Sequence, residues 1–128
     1  MAALSNYLED NLVDHSLGTA TFTSPATVYV ALYTTDPTDA DTGVEVSGNG
    51  YARQVATFSA ASGGATSNTN EISFVASGGN WGTITHIGIR DALTAGNLLY
   101  QGALTAARTI NDGETARFAI GDIDIALA

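Results

Sequence analysis

Residues 27–34 read Thr-Val-Tyr-Val-Ala-Leu-Tyr-Thr. Side chains of a strand alternate between its faces, so Val28, Val30 and Leu32 point one way while Tyr29, Ala31 and Tyr33 point the other. Neither set is polar. A strand apolar on both sides is stable only where both faces are covered, and that calls for more burial than a two-layer monomer offers. Cover must come from elsewhere in the chain or from a neighbour.

The period of two returns along most of the remaining sequence. A second strand is expected at about 51–60, with Ala52, Ala56, Phe58 and Ala60 on its more apolar side. A Ser, Gly and Asn-rich loop follows at 62–70, then a third strand marked by Ile72 and Phe74, closed by the turn residues 77–80. A fourth strand spans about 82–90, carrying Ile87 and Ile89. The stretch from Asp91 to Asn97 turns into a fifth strand at 98–104. A short sixth near 107–110 joins the last through Asn111-Asp112-Gly113-Glu114, whose composition predicts a hairpin. In the last strand Phe118 and Ile120 share one parity and Ile123 and Ile125 the other, so a bulge at Gly121 would restore a single apolar face. About seven short strands with regular turns predict an antiparallel β-sandwich, jelly-roll or Greek-key like.

One helix is expected before them, over about 5–17. Ser5 can cap its free amides, Glu9 and Asp10 follow near the positive end of the dipole, and Gly18 stops it. Leu4, Leu8 and Leu12 recur every four residues and make one apolar stripe. A helix of this length does not persist alone in water. Its stripe must pack on the chain's own sheet or act as an apolar contact in an assembly. With 128 residues and no linker or repeat, the chain is read as a single domain, 1–128.

Charge excludes several partners. The net charge is −9, lysine is absent, and the only cations besides histidine are Arg53, Arg90, Arg108 and Arg117. Phosphate backbones and anionic membranes are bound by clustered Lys and Arg, so no nucleic-acid or membrane partner is expected. No apolar run reaches the ~20 residues that span a bilayer. The first ten residues lack the charged and apolar regions of a signal peptide, so export by that route is not expected. Without cysteine there is no disulfide, thiolate metal site or cysteine nucleophile.

Chemical motifs are sparse. Asp36, Asp39 and Asp41, followed by Gly43 and Glu45, bring calcium loops to mind, but such loops need carboxylates at alternate positions and a final bidentate acid further on. Here the first gap is too long, Pro37 intrudes and Glu45 comes early. The segment 36–45 therefore reads as a solvated turn rich in turn-forming residues. His15 and His86 lie on a helix and a strand without a nucleophile elbow or other catalytic signature. Neither an enzyme nor a cofactor is expected. Trp81 and Tyr51 follow glycine-rich turns, where an aromatic either lids the end of a core or stacks on a sugar, and the lid is favoured. The nearby glycines lack the strand-then-helix setting of a phosphate cradle. The doubly apolar strand, the short helix and the open sheet edges together point to self-association or docking.

Several stretches carry a family likeness: Leu17-Gly18, Ala26 through Thr35, Val46 through Arg53, Trp81 through Ile89, and Gly96 through Tyr100. In these the chain resembles small virion proteins of tailed bacteriophages, often labelled tail fibre proteins. The resemblance implies a virion structural protein made in the host cytoplasm. Decoration or cementing of the outer capsid surface is the reading favoured here, because heptads and β-helical repeats of fibre stalks are missing and because an acidic chain suits the outer surface better than one facing packaged DNA. Its partners would be the major capsid protein and copies of itself, with a trimer expected, and Leu4, Leu8 and Leu12 offer one apolar contact. The alternatives are a tail or tail-fibre component binding other tail proteins, and a host-glycan-binding module.

Overall fold

The computed structural model describes residues 2–127. Its elements are β1 (Ala3–Leu4), α1 (Asn6–Ser16), β2 (Val28–Tyr33), β3 (Gln54–Ala56), β4 (Ala65–Ser67), β5 (Ile72–Val75), β6 (Gly82–Arg90), β7 (Leu98–Ile110), β8 (Thr115–Phe118) and β9 (Asp124–Ala126). The protein is all-β with one N-terminal helix, and every strand pairing is antiparallel. One layer is a five-stranded sheet in the order β1-β7-β6-β2-β3. The other consists of two separate ribbons, β4 with β9 and β5 with β8. A shared apolar core lies between the layers, drawing Val30 and Leu32 from β2, Ile84 and Ile89 from β6, Ile72 and Phe74 from β5, and Phe118 and Ile125 from β8 and β9.

The helix begins and ends where its residues dictate. Ser5 Oγ accepts from Leu8 N at the first turn, the cap that leaves fewest amides unpaired. Ser5 also ties the helix to the sheet, donating its hydroxyl to Leu98 O and its amide to Leu99 O. Leu8 is buried in the core, and Leu4 and Leu12 are half-buried against it. The stripe thus packs on the chain's own sheet, with Leu4 and Leu12 keeping part of their surface open. The large apolar side chains exposed on α1 and at its C-cap are Val13 and Leu17.

Several local expectations are corrected. The fifth and sixth strands are one, β7, running through 98–110 with a register shift against β6 between Ile84 and His86. The turn at 111–114 does form, with Glu114 N donating to Asn111 O. Yet β8 beyond it pairs with β5, not with β7, so the turn passes the chain from one layer to the other. Local turn chemistry fixes the reversal but not the partner. Finally, the stretch after β8 does not bulge at Gly121. It breaks in a turn, with Gly121 at φ +84° and Asp122 N donating to Ala119 O. Ile120 is consequently exposed, while Phe118, Ile123 and Ile125 are buried. Within the expected loop 62–70, residues 65–67 form β4, and the second expected strand shrinks to Gln54–Ala56 plus a single bridge at Phe58.

Candidate functional site

Registers place the second face of β2. Tyr33 lies opposite His86, Ala31 opposite Gly88 and Tyr29 opposite Arg90. Gly88 and His86 in turn face Gln101 and Ala103 on β7. This outer face of the sheet, away from the main core, buries Ala31, Tyr33, Arg90 and Leu98. Glycine at 88 is required by that packing: a Cβ there would come within 2.7 Å of Leu98 Cδ1 and 3.3 Å of Tyr33 Cε1.

The acidic segment 36–45 covers this face. Its base is closed by Thr34 N donating to Val44 O and by the bridge between Tyr33 and Glu45. Pro37 is fully buried. Asp36 Oδ1 accepts from Thr38 N in a local turn, and its other oxygen lies 3.8 Å from His86 Nε2. The backbone oxygen of Asp39 accepts from Asn6 N, and its side chain accepts from Gln101 Nε2. Asp41 forms a bidentate pair with Arg90 at 2.8 and 2.9 Å. Thus the three aspartates reach β6 and β7 side by side. Among the described residues no group of three or more metal-ligating side chains converges. The segment is the largely exposed turn read from its composition, and it is also tied down over the sheet through Pro37 and the three aspartates.

Two arginines fasten the cover. Arg90 donates additionally to Tyr33 Oη and Gly96 O. Its neighbour Arg53 donates to both carboxylate oxygens of Glu45 at 2.8 and 2.7 Å, and to the carbonyls of Ala92 and Ala95. Bidentate guanidinium–carboxylate geometry is the strong, orientation-fixing form of such pairs. Tyr51 Oη joins them, donating to Glu45 Oε2 and accepting from Leu32 N. Burial opposes ionisation of Glu45, but Arg53 and Tyr51 outweigh it and hold its carboxyl below the ordinary value. Burial, and then the hydrogen bond to Glu45, push the Tyr51 phenol far up. Burial alone lowers the Arg90 value, but the contacts to Asp41 and Tyr33 reverse the sign and keep it charged. These charges pair with one another, with Arg90 Nε alone left buried without a partner among the described residues, so the cluster has the chemistry of a latch. No polarised nucleophile or spare base stands in it.

The aromatics predicted at the loop edges point inward. Trp81 is buried, donates its Nε1 to Asn49 O and meets Tyr51 edge-on at 5.5 Å. Tyr51 stacks on Phe74 at 6.1 Å, and Phe74 meets Phe118 edge-on. They lid and fill the core, so the platform that sugar stacking needs is not formed by Trp81 or Tyr51. His15 Nδ1 accepts from Phe22 N at the end of the helix, while His86 sits on the covered face beside Thr85 Oγ1. They serve different elements.

Sequence reading missed two surface features. A cleft of about 410 Å³ opens between residues 45–53 and the 91–97 turn, floored by Tyr51 and Arg53 and rimmed by exposed Leu93. A groove of about 380 Å³ lies beside β7, lined by Ile87, Leu104, Phe118 and Ile123 with Arg108, Asp122 and Asp124 at its rim. The continuous run of small residues in β7, free of carboxylates from 98 to 110, was the available signal for the second.

Residues 3–126 match the model of a phage protein family described as Podophage GP4 fiber I protein gp80. None of the curated proteins matches the chain. The family match spans nearly the whole fold, from β1 to β9. The chain belongs to this family of phage fibre proteins, and it is a structural component of a phage virion.

Proposed function

From that membership we propose that the chain is a component of the tail fibres, held by contacts with other tail proteins and acting without catalysis. The observation that carries this reading is the fibre-protein family match over residues 3–126. The molecule's construction agrees with it. Its most elaborate polar cluster, Arg53–Glu45–Tyr51 and Arg90–Asp41–Tyr33, is spent on fastening loops to a sheet. A fibre component has to keep its shape under load, and bidentate pairs anchoring loop carbonyls supply rigidity.

Decoration of the outer capsid, which the sequence favoured, rested on the lack of fibre-stalk repeats and on acidity. The first does not weigh against a compact module carried within a fibre. The second distinguishes surfaces near packaged DNA from surfaces far from it, and shell exterior and tail are both far from it. The family description therefore tips the balance to the tail.

Localisation on the particle is the test. Gold-labelled antibody raised against the purified chain, applied to intact virions, is expected to mark the tail region at a few sites per particle. Label spread over the shell, with copy number comparable to the major capsid protein, overturns the fibre reading in favour of decoration.

A further inference from the structure

The two ends of the five-stranded sheet are unlike. At one end, β3 is a three-residue edge, short enough to limit pairing with another chain. At the other, β7 runs for thirteen residues, and β1 covers it only at Tyr100 and Gln101. Among the described residues no ladder or other backbone hydrogen bond occupies that side of β7 from Gly102 to Thr109. Residues 105–109 are all exposed. Natural edges of such length are protected by lysine, proline or inward charge. This one carries Gly-Ala-Leu-Thr-Ala-Ala-Arg-Thr, without lysine or proline; its protection is limited to Arg108, which folds back over the Phe118 ring at 5.1 Å, and to the register shift opposite Thr85.

We propose that the β7 edge, residues 102–110, is a pairing surface for a second copy of this chain, joined antiparallel about a two-fold axis at Ala106. Charge argues for this occupant. Each chain carries −9, so two copies repel over most of their surfaces, yet Leu98–Ile110 contains no carboxylate. The parity of β7 supplies complementarity. Arg108 lies opposite Ile84 and Gly102 opposite Ile87, so even-numbered residues of β7 from Tyr100 onward face the core side. Directly opposed residues of antiparallel strands share a face. An axis at Ala106 sets Arg108 of each copy opposite Leu104 of the other. Leu104 lines the groove whose rim carries Asp122 and Asp124. Each arginine, on giving up its own-chain hydrogen bond to Arg117 O, comes within reach of the acidic rim of the other copy, and the alanine at the axis lets the backbones approach. A two-fold interface repeats each contact twice, which suits a weak edge acting in a many-copy particle.

Sedimentation of the purified chain at neutral pH, as a function of concentration, tests this. A species of twice the 13.1 kDa chain mass is expected. Ala107→Pro should weaken dimerisation by at least roughly tenfold, since odd-numbered residues of β7 aim their backbone groups at the open edge, as Leu99 O does toward Ser5 N, and the change removes an edge donor in both copies. The fold should survive it, because residue 107 lies within the register shift, where no β6 residue pairs with it. Arg108→Asp should likewise give monomer, and adding Asp124→Arg should restore the dimer. With no native cysteine, Ala106→Cys should form an intermolecular disulfide on mild oxidation, since opposed Cα atoms lie ~4.5–5.5 Å apart. A monomeric wild-type chain at every concentration overturns the proposal. So does a three-chain species, or a dimer that Ala107→Pro leaves intact with its thermal midpoint unchanged.

Discussion

Arg53 and Arg90 are two of the chain's four arginines, and both are buried and paired. Their surroundings decide which charge matters. Asp41 is partly exposed, but its partner Arg90 is not, and removing the carboxylate leaves a buried guanidinium with only Tyr33 Oη and Gly96 O. Asp41→Asn is therefore expected to cost about 2 kcal/mol, below the usual figure for breaking a fully buried pair because Asp41 itself meets solvent. Glu71→Gln, which loosens an exposed pair with Arg117 at 3.6 Å, should cost at most ~0.5 kcal/mol. Urea unfolding at neutral pH separates the two, and equal effects would show that the latch carries no special weight. Glu45 adds a pH dependence. Because its folded carboxyl titrates below the ordinary value, its stabilisation is complete above that value and is lost as the pH falls through the folded one. The thermal midpoint should fall with acidification below about pH 4.3, and Glu45→Gln should flatten that fall while lowering the midpoint at pH 7. A wild-type midpoint indifferent to acid in that range would contradict the depressed value.

At the scale of elements, periodicity was informative and partnership was not. The helix was legible through Ser5, the leucine stripe and Gly18, and β2, β5 and β6 through alternation. Strand β4 was not, since Ala65-Thr66-Ser67 is polar and short and pairs only because β9 arrives beside it. The single strand β7 looked like two because Leu104 to Ala107 add residues opposite Thr85 of β6, which shifts the register without breaking the extended backbone. The turn at 111–114 carried a true signal for reversal and a false one for pairing. Tertiary packing chose β5 as the partner of β8, since Phe118 and Ala116 belong with Phe74 and Ile72 in the core. The leucine stripe yields a test of where the helix docks. Leu8→Ala should cost about 2–4 kcal/mol because Leu8 is buried in the shared core, whereas Leu17→Ala, at an exposed site, should stay within ~0.5 kcal/mol. Comparable losses at both positions would mean that the helix rests on a different face in solution.

For the whole molecule, the doubly apolar β2 posed the demand and the acidic segment meets it. That strand and the short helix had argued for burial by a neighbour, and the chain itself supplies much of the cover for both. The need for a cover was legible in Tyr29, Ala31 and Tyr33. Its identity was not, because Asp36, Asp39 and Asp41 find His86, Gln101 and Arg90 only after β2, β6 and β7 are in register. Spacing within the loop says nothing of that. If the segment is a cover, its removal must expose an apolar sheet face and leave Arg90 without its carboxylate. Replacing residues 36–41 by a Gly-Ser linker of equal length is then expected to cost more than about 3 kcal/mol, since it orphans a buried charge. It should also give strong binding of a hydrophobic dye and association that rises with concentration. Restoring only Asp41 within the linker should recover the pairing of Arg90 but not dye exclusion, because Pro37 and the loop backbone seal the rest. A linker variant that unfolds cooperatively at the wild-type midpoint and excludes the dye would show that the second face of β2 needs no cover from this loop.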